Sequence, residues 1–281
     1  MSIGLELWLF GVAAGTSLLG GMLGMASGVF IVPVLTLFGG LDIRSAIGAS
    51  LVSVIACSCA SAAPFLHQRL TNIRLAIVLE TATTLGALTG VLLVGAIPTA
   101  FLFALFGLVL LLSAVQMLRA RQQAQSAPSR WVAWQLDASY PDAELGGEVA
   151  YQVHRVPAGL GLMYLAGLLS ALLGIGSGVL KVPAMDTALR LPIKVSSATS
   201  NFMIGVTAAA SAIAYFVRGI ISAPIAAPVA LGSVLGALLG ARILLRVPST
   251  RLRLMFVLAL AALAIEMILN AFGVTLTHRL S

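Results

Sequence analysis

Apolar residues run in long blocks along this chain, and charges are confined almost wholly to the gaps between them. The blocks form two sets of four, at about 5–38, 45–66, 73–96 and 98–118, then at about 158–189, 194–217, 223–246 and 250–273. A helix needs about 20 apolar residues to cross the core of a bilayer, so the second, third and fourth blocks of each set (B, C and D) each predict one transmembrane helix. The first block of each set (A) is longer and is interrupted by glycine, as "GMASGVFIVP" at Gly24–Pro33 and "GIGSGVLKVP" at Gly174–Pro183. Its second piece, Val29–Phe38, would reach only about 15 Å as a helix against a core of about 30 Å. Block A is therefore either one broken span or a hairpin that returns to its starting side. The short segments of alternating polarity that mark an outer-membrane barrel are not found.

The second set copies the first. Shifted by 150 residues, Leu18–Leu118 aligns without gaps on Leu168–Ile268, and 28 of the 101 positions are identical. Unrelated pairing in so Leu-, Ala- and Gly-rich a chain gives roughly a tenth, so the repeat is real. Shared landmarks include Gly24/Gly174, Ser27/Ser177, Gly28/Gly178, Pro33/Pro183, Ser50/Ser200, Gly86/Gly236 and Gly90/Gly240. The expected organisation is a first transmembrane repeat at 1–118, a polar linker at 119–156 and a second repeat at 157–281. The linker carries Asp137, Asp142, Glu144 and Glu148 and reads as a solvated connection, although Trp131, Trp134, Tyr140 and Tyr151 offer some interfacial structure.

Composition agrees with membrane residence: 60% of residues are hydrophobic and 9% charged, against about 25% charged in soluble domains. The net charge of +7 does not point to nucleic acid, because the arginines are scattered through loops, where they set orientation. If each block A crosses once, the loop cations divide eight against seven. If block A returns, they divide twelve inside against three outside (Arg44, Arg218 and Arg279), with Lys181 alone within the membrane. The positive-inside tendency selects the second arrangement. The expected fold is an all-α polytopic membrane protein of two inverted repeats. Each repeat has a broken or re-entrant first hairpin followed by three transmembrane helices, giving about 8–10 membrane segments. The linker is then cytoplasmic and both termini are outside. The N-terminus has no basic residue before its apolar run, so no cleaved signal is expected; with the short loops this fits a bacterial inner membrane.

Inverted repeats with interrupted helices build many secondary transporters, whose substrate sits near the midplane where the broken segments meet. Freed amides at the start of a half-helix, together with the helix dipole, favour an anion. Two half-helices would begin near Gly28 and Gly178, beside Ser27 and Ser177. Gly86/Gly90 and Gly236/Gly240 are small-xxx-small pairs and are assigned to helix packing.

The paired motifs resemble those of the TauE/SafE sulfite exporter family of membrane anion transporters. So do "IGASLVSV" (Ile47–Val54), "HQRLTNIR" (His67–Arg74), "SATSNFMIGVTAAASA" (Ser197–Ala212) and "LGSVLGALLGARI" (Leu231–Ile243). The resemblance implies movement of sulfite, sulfonates such as sulfoacetate, or related small sulfur-containing anions through a pathway between two inverted repeats. This chain departs from the pattern with Ala26 and Ser27 where the first motif usually has glycines, and with Ala49 opposite Thr199. The linker is not accounted for by the resemblance.

Polar residues inside the blocks supply the candidate site. Gly24, Ser27, Gly28, Gly174, Gly176, Ser177 and Gly178 form the two breaks. Ser50, Thr199, Ser200 and Asn201 offer uncharged donors to an oxyanion, against the alternative of back-bonding to a helix carbonyl. Lys181 is an anion counter-charge, or else snorkels to the interface or pairs with Asp186. Glu80, central in block C, is the candidate for a coupling proton, ahead of Glu266 in block D of the second set. Cys57 and Cys59, two apart on a helix, point to nearly opposite sides and read as packing residues rather than a disulfide. An enzyme is excluded, because hydrolysis needs a base beside a nucleophile or a set of metal ligands, and His67, His154 and His278 all fall in loops or the tail. No cofactor or metal is expected. The partners are a small anion and the lipid bilayer, and small-residue faces permit a homodimer. A passive anion channel, or a carrier of another small organic anion, remains the alternative to a sulfur-anion exporter.

Overall fold

The computed structural model describes residues 3–23, 27–93, 98–118, 136–142, 147–173 and 177–244, with scattered residues between 257 and 271. Its helices are α1 (Ile3–Leu23), α2 (Gly28–Leu37), α3 (Ile43–His67), α4 (Ile73–Leu93), α5 (Thr99–Leu118), α6 (Val156–Leu173), α7 (Gly178–Thr187), α8 (Ile193–Val217) and α9 (Ala223–Leu244). Two strands, β1 (Ala138–Asp142) and β2 (Gly147–Tyr151), separate α5 from α6. Six of these helices, α1, α3, α4, α6, α8 and α9, are long and apolar enough to cross a membrane. The protein is an all-α polytopic membrane protein. Block D of the second set, including Glu266, lies largely outside the described residues.

The sequence repeat reappears in the backbone. Left-handed residues close the turn after α2 at Gly40 and after α7 at Arg190, and the turn after α3 at Arg69 and after α8 at Gly219. Both pairs are 150 residues apart. The hydrogen bonds at the first pair of turns match too, Leu41 N–H to Leu35 O and Leu191 N–H to Met185 O, both at 3.1 Å.

Each short helix brings the chain back to where its hairpin began. After α2, Gly39 lies against the Trp8 ring near the start of α1. After α7, Leu189 O accepts from His154 N–H at 3.1 Å, just before α6. The equivalent helices α3 and α8 run in opposite directions. Gly48 near the start of α3 meets Ile220 and Ile221 beyond the end of α8, whereas Ser58, further along α3, meets Asn201 and Gly205 early in α8.

Glycine sets the closest approaches. Along α9, Gly232, Gly236 and Gly240 lie on the carbonyls of Phe10, Ala14 and Leu18 of α1, and a Cβ at any of them would stand 2.1–2.3 Å from that oxygen. Along α4, Gly86 and Gly90 lie on the carbonyls of Tyr164 and Leu168 of α6 in the same way. The packing role assigned to these glycines is what the structure gives them. Large apolar side chains such as Leu7, Leu92, Phe216 and Leu231 remain on the outside, where lipid rather than water is their solvent.

The segment read as a solvated linker is folded where it is described. β1 and β2 pair antiparallel with Tyr140 opposite Val149. Tyr140 is buried against Phe65 of α3, Val195 and Ala198 of α8 and Ala241 of α9. Leu136 and Val153 pack with Leu75 and Leu79 of α4 and Met185 of α7. The physical reason is that this hairpin puts its aromatic and branched residues on one face, which the helix ends then bury. Trp131, Trp134 and Glu144 lie outside the described residues.

Candidate functional site

Both broken motifs fold as short helices that start where glycine follows serine. The carbonyl of Ser27 accepts from Phe30 and Ile31 N–H at 3.0 Å, and that of Ser177 accepts from Leu180 at 3.1 Å and Lys181 at 2.8 Å. Neither serine side chain caps its helix. Gly24, Gly174 and Gly176 lie outside the described residues; Gly28 and Gly178 are the first residues of α2 and α7.

The surroundings of the two ends differ. At α2, the Ser27 hydroxyl is 2.6 Å from that of Ser53 on α3, which is 2.5 Å from that of Ser233 on α9. Ser233 in turn donates to Val229 O at 2.7 Å. Asn201 comes to this end rather than to its own half: its side-chain amide donates to Gly21 O at the end of α1, at 3.4 Å, and its backbone carbonyl accepts from Ser58. All of these groups are neutral and buried.

At α7 the polar groups are charged. Lys181 is fully buried, and its ammonium donates to Glu80 Oε2 of α4 and to Thr207 Oγ1 of α8, both at 2.8 Å. Thr207 donates to the other Glu80 oxygen at 2.5 Å. Complete burial corrects the expectation that Lys181 snorkels to the interface, and Glu80 rather than Asp186 holds its ammonium. Two charges removed from water stay ionised only when each finds the other and their remaining hydrogen-bonding capacity is met, which Thr207 helps to do. Glu80 and Lys181 were each singled out alone; the fold joins them. Thr207, Ser53 and Ser233 were missed, because a lone Ser or Thr in a span most often bonds its own helix.

The remaining candidates have local partners. Ser50 donates back to Ile47 O at 3.2 Å. Thr199 accepts from Asn72 N–H at 3.1 Å, tying the start of α8 to the α3–α4 turn. Asn72 also caps α4 by accepting from Leu75 N–H, and its amide holds the hairpin through Leu136 O and the Tyr151 hydroxyl. Ser200 is fully buried beside Asn201.

A family model described as "Sulfite exporter TauE/SafE" matches residues 7–267, both motifs and the whole helical body included. The chain belongs to the TauE/SafE family. Among curated relatives of this family member, "Probable membrane transporter protein YunE" of Bacillus subtilis (strain 168) is 25% identical over 222 residues, covering 76% of this chain and 78% of the relative. No solved structure matches. The TauE/SafE protein described here is thus an integral membrane transporter with several spans, not an enzyme.

Proposed function

We propose that this protein moves small sulfur-containing anions, sulfite or sulfonates such as sulfoacetate, across the cell inner membrane as a secondary exporter. It works by alternating access between two inverted repeats, 1–118 and 157–281. The observation that carries the reading is the Lys181–Glu80–Thr207 cluster, in which α4 and α8 meet the first turn of α7. A buried ammonium one turn from a half-helix N-terminus is an anion counter-charge. The carboxylate that holds it in the resting state is a proton acceptor. Protonation of Glu80 releases Lys181 to the anion, and loss of both the anion and that proton lets the pair re-form, so binding of the anion is coupled to the protonation of Glu80. The polar groups that face Glu80 are few among the described residues. α7 brings Lys181 and α8 only the Thr207 hydroxyl. α6 brings the Tyr164 phenol about two turns along, where it meets Thr89, and α4 itself adds Thr84.

Support for the inverted arrangement comes from the opposed directions of α3 and α8 and from the two returning hairpins. Combined with the charge bias of the loops, an inverted arrangement would have 119–156 in the cytoplasm and both termini outside. The breaks Gly24–Gly28 and Gly174–Gly178 then face one pathway, with Ser27, Ser50, Ser177, Thr199, Ser200 and Asn201 as its neutral donors. The test is uptake of radiolabelled sulfite into proteoliposomes, with sulfate, sulfoacetate and thiosulfate as competitors and an imposed pH gradient. Saturable, gradient-driven uptake that Lys181→Met abolishes is expected, and Glu80→Gln should leave only gradient-independent exchange. Currents far above carrier turnover would replace the carrier with a channel, and no transport of any of these anions would end the reading.

A further inference from the structure

The two half-helix ends are equivalent in sequence position but not in chemistry, and we infer that only one of them, the N-terminus of α7, seats the anion. The inference rests on the carrier reading above and names which half holds its site. Along the 150-residue repeat, Ser27 corresponds to Ser177, Ser53 to Met203, Ser233 to Thr83, Ile31 to Lys181, Cys57 to Thr207 and Ala230 to Glu80. In the first half, the Ser27 hydroxyl is consumed in the chain Ser27–Ser53–Ser233, which ends on the carbonyl of Val229. In the second half that chain cannot form. Met203 is fully buried and has no hydroxyl, and Thr83 spends its own on Leu79 O at 2.9 Å.

The Ser177 hydroxyl is left over. It is 1% exposed and has no hydrogen-bond partner among the described residues. Buried polar groups are nearly always paired, and one that is not calls for a reason, such as an ion that completes it. Its place supplies the reason. Ser177 immediately precedes a ten-residue helix that no side chain caps, where first-turn amides and the positive end of the dipole favour negative charge.

Lys181 follows four residues later, so it shares a face of α7 with Ser177. Long side chains on a helix lean back toward its N-terminus, which directs the ammonium toward that end. A hydroxyl donor, the positive end of the helix and an ammonium one turn away, which Glu80 holds at 2.8 Å until it is protonated, suit a small, compact oxyanion. The α2 end offers no charge, because Ile31, Cys57 and Ala230 stand where the cluster stands in the other half. Its serine chain is a neutral pivot that joins α2, α3 and α9.

Ser27→Ala, Ser177→Ala and Met203→Ser separate the two ends, with sulfite as the probe. Two readouts are compared: the KM of sulfite uptake in proteoliposomes, and the melting temperature of detergent-solubilised protein with and without sulfite. Ser177→Ala is expected to raise KM at least tenfold and to abolish the sulfite-dependent rise in Tm, while the ligand-free Tm stays at or above wild type. Ser27→Ala is expected to lower the ligand-free Tm, since it strands Ser53, and to leave KM within twofold. Met203→Ser gives Ser177 an internal partner and should weaken sulfite binding; since Met203 is fully buried, its ligand-free Tm is expected to fall as well, and the readout is the loss of the sulfite-dependent rise in Tm. Equal KM changes from Ser27→Ala and Ser177→Ala, or a change from Ser27→Ala alone, would overturn the one-sided site while leaving the carrier intact. Wild-type protein that moves neither sulfite, sulfoacetate nor thiosulfate would overturn the carrier reading and this inference with it.

Discussion

Lys181 and Glu80 are 101 residues apart and meet at 2.8 Å, with the Lys181 side chain fully buried and that of Glu80 12% exposed. Removing one partner of a buried pair strands the other charge, at a cost of about 3–5 kcal/mol, whereas replacing both by apolar residues is close to neutral. Lys181→Met and Glu80→Leu are each expected to depress the Tm of the solubilised protein sharply, and the double variant to recover most of the loss. Additive losses in the melting curves would show that the pair is not coupled. Both residues were legible in the sequence as expensive charges in apolar blocks. Their pairing was not, because the repeat positions Ile31 and Ala230 carry no echo of it. The neighbour of Asn201 was equally illegible: it lies in the second half of the sequence, and the crossing of α3 and α8 brings its amide to Gly21 in the first.

At the scale of elements, helices that touch through glycine tolerate no side chain at the contact. A Cβ at Gly236 would stand 2.1 Å from the Ala14 carbonyl, while Gly161 on the outer face of α6 has nothing within 4 Å. Gly236→Ala is expected to lower stability by about 1–3 kcal/mol as an overpacking change, and Gly161→Ala to be neutral or slightly stabilising; paired thermal melts check both. The hairpin makes a separate prediction. Burial pushes the Tyr151 hydroxyl up to about 12 from its usual value near 10. A folded-state value above the unfolded one means that this contribution to stability is complete below pH 10 and fades as pH rises toward 12. Alkaline melts of wild type should therefore lose stability across that window more steeply than Tyr151→Phe, and identical profiles would show that Tyr151 is not docked. Spans, breaks and glycine rows were readable because each is written in local composition. The hairpin was not: its alternation is only a few residues long on either side of the turn, and its partners are the ends of helices distant in sequence.

For the whole molecule, orientation is the property that inverted repeats fix. If the halves are inverted, Arg44 and Arg218 face one side, and Arg74 and Arg242 the other. Single cysteines at these positions, in a Cys57→Ala/Cys59→Ala background, should divide in that way toward a membrane-impermeant thiol reagent on intact cells. Labelling of Arg74→Cys together with Arg218→Cys from outside would mean two halves of like orientation. The charge bias alone predicted the inverted pattern, since loop cations are read during insertion whatever the later packing. What composition could not supply is which helices become neighbours, and here the glycine rows have a consequence for the order of events at the ribosome. α1 is zipped not to its own half but to α9, whose first residue emerges 200 residues after α1 ends. At about 5–20 residues per second, α1 waits about 10–40 s in lipid with its carbonyl-lined face uncovered. α4 and α6 close much sooner. Among the described residues, the last long helix to be made is the one that completes the first, so a chain truncated before α9 leaves its earliest helix without that partner.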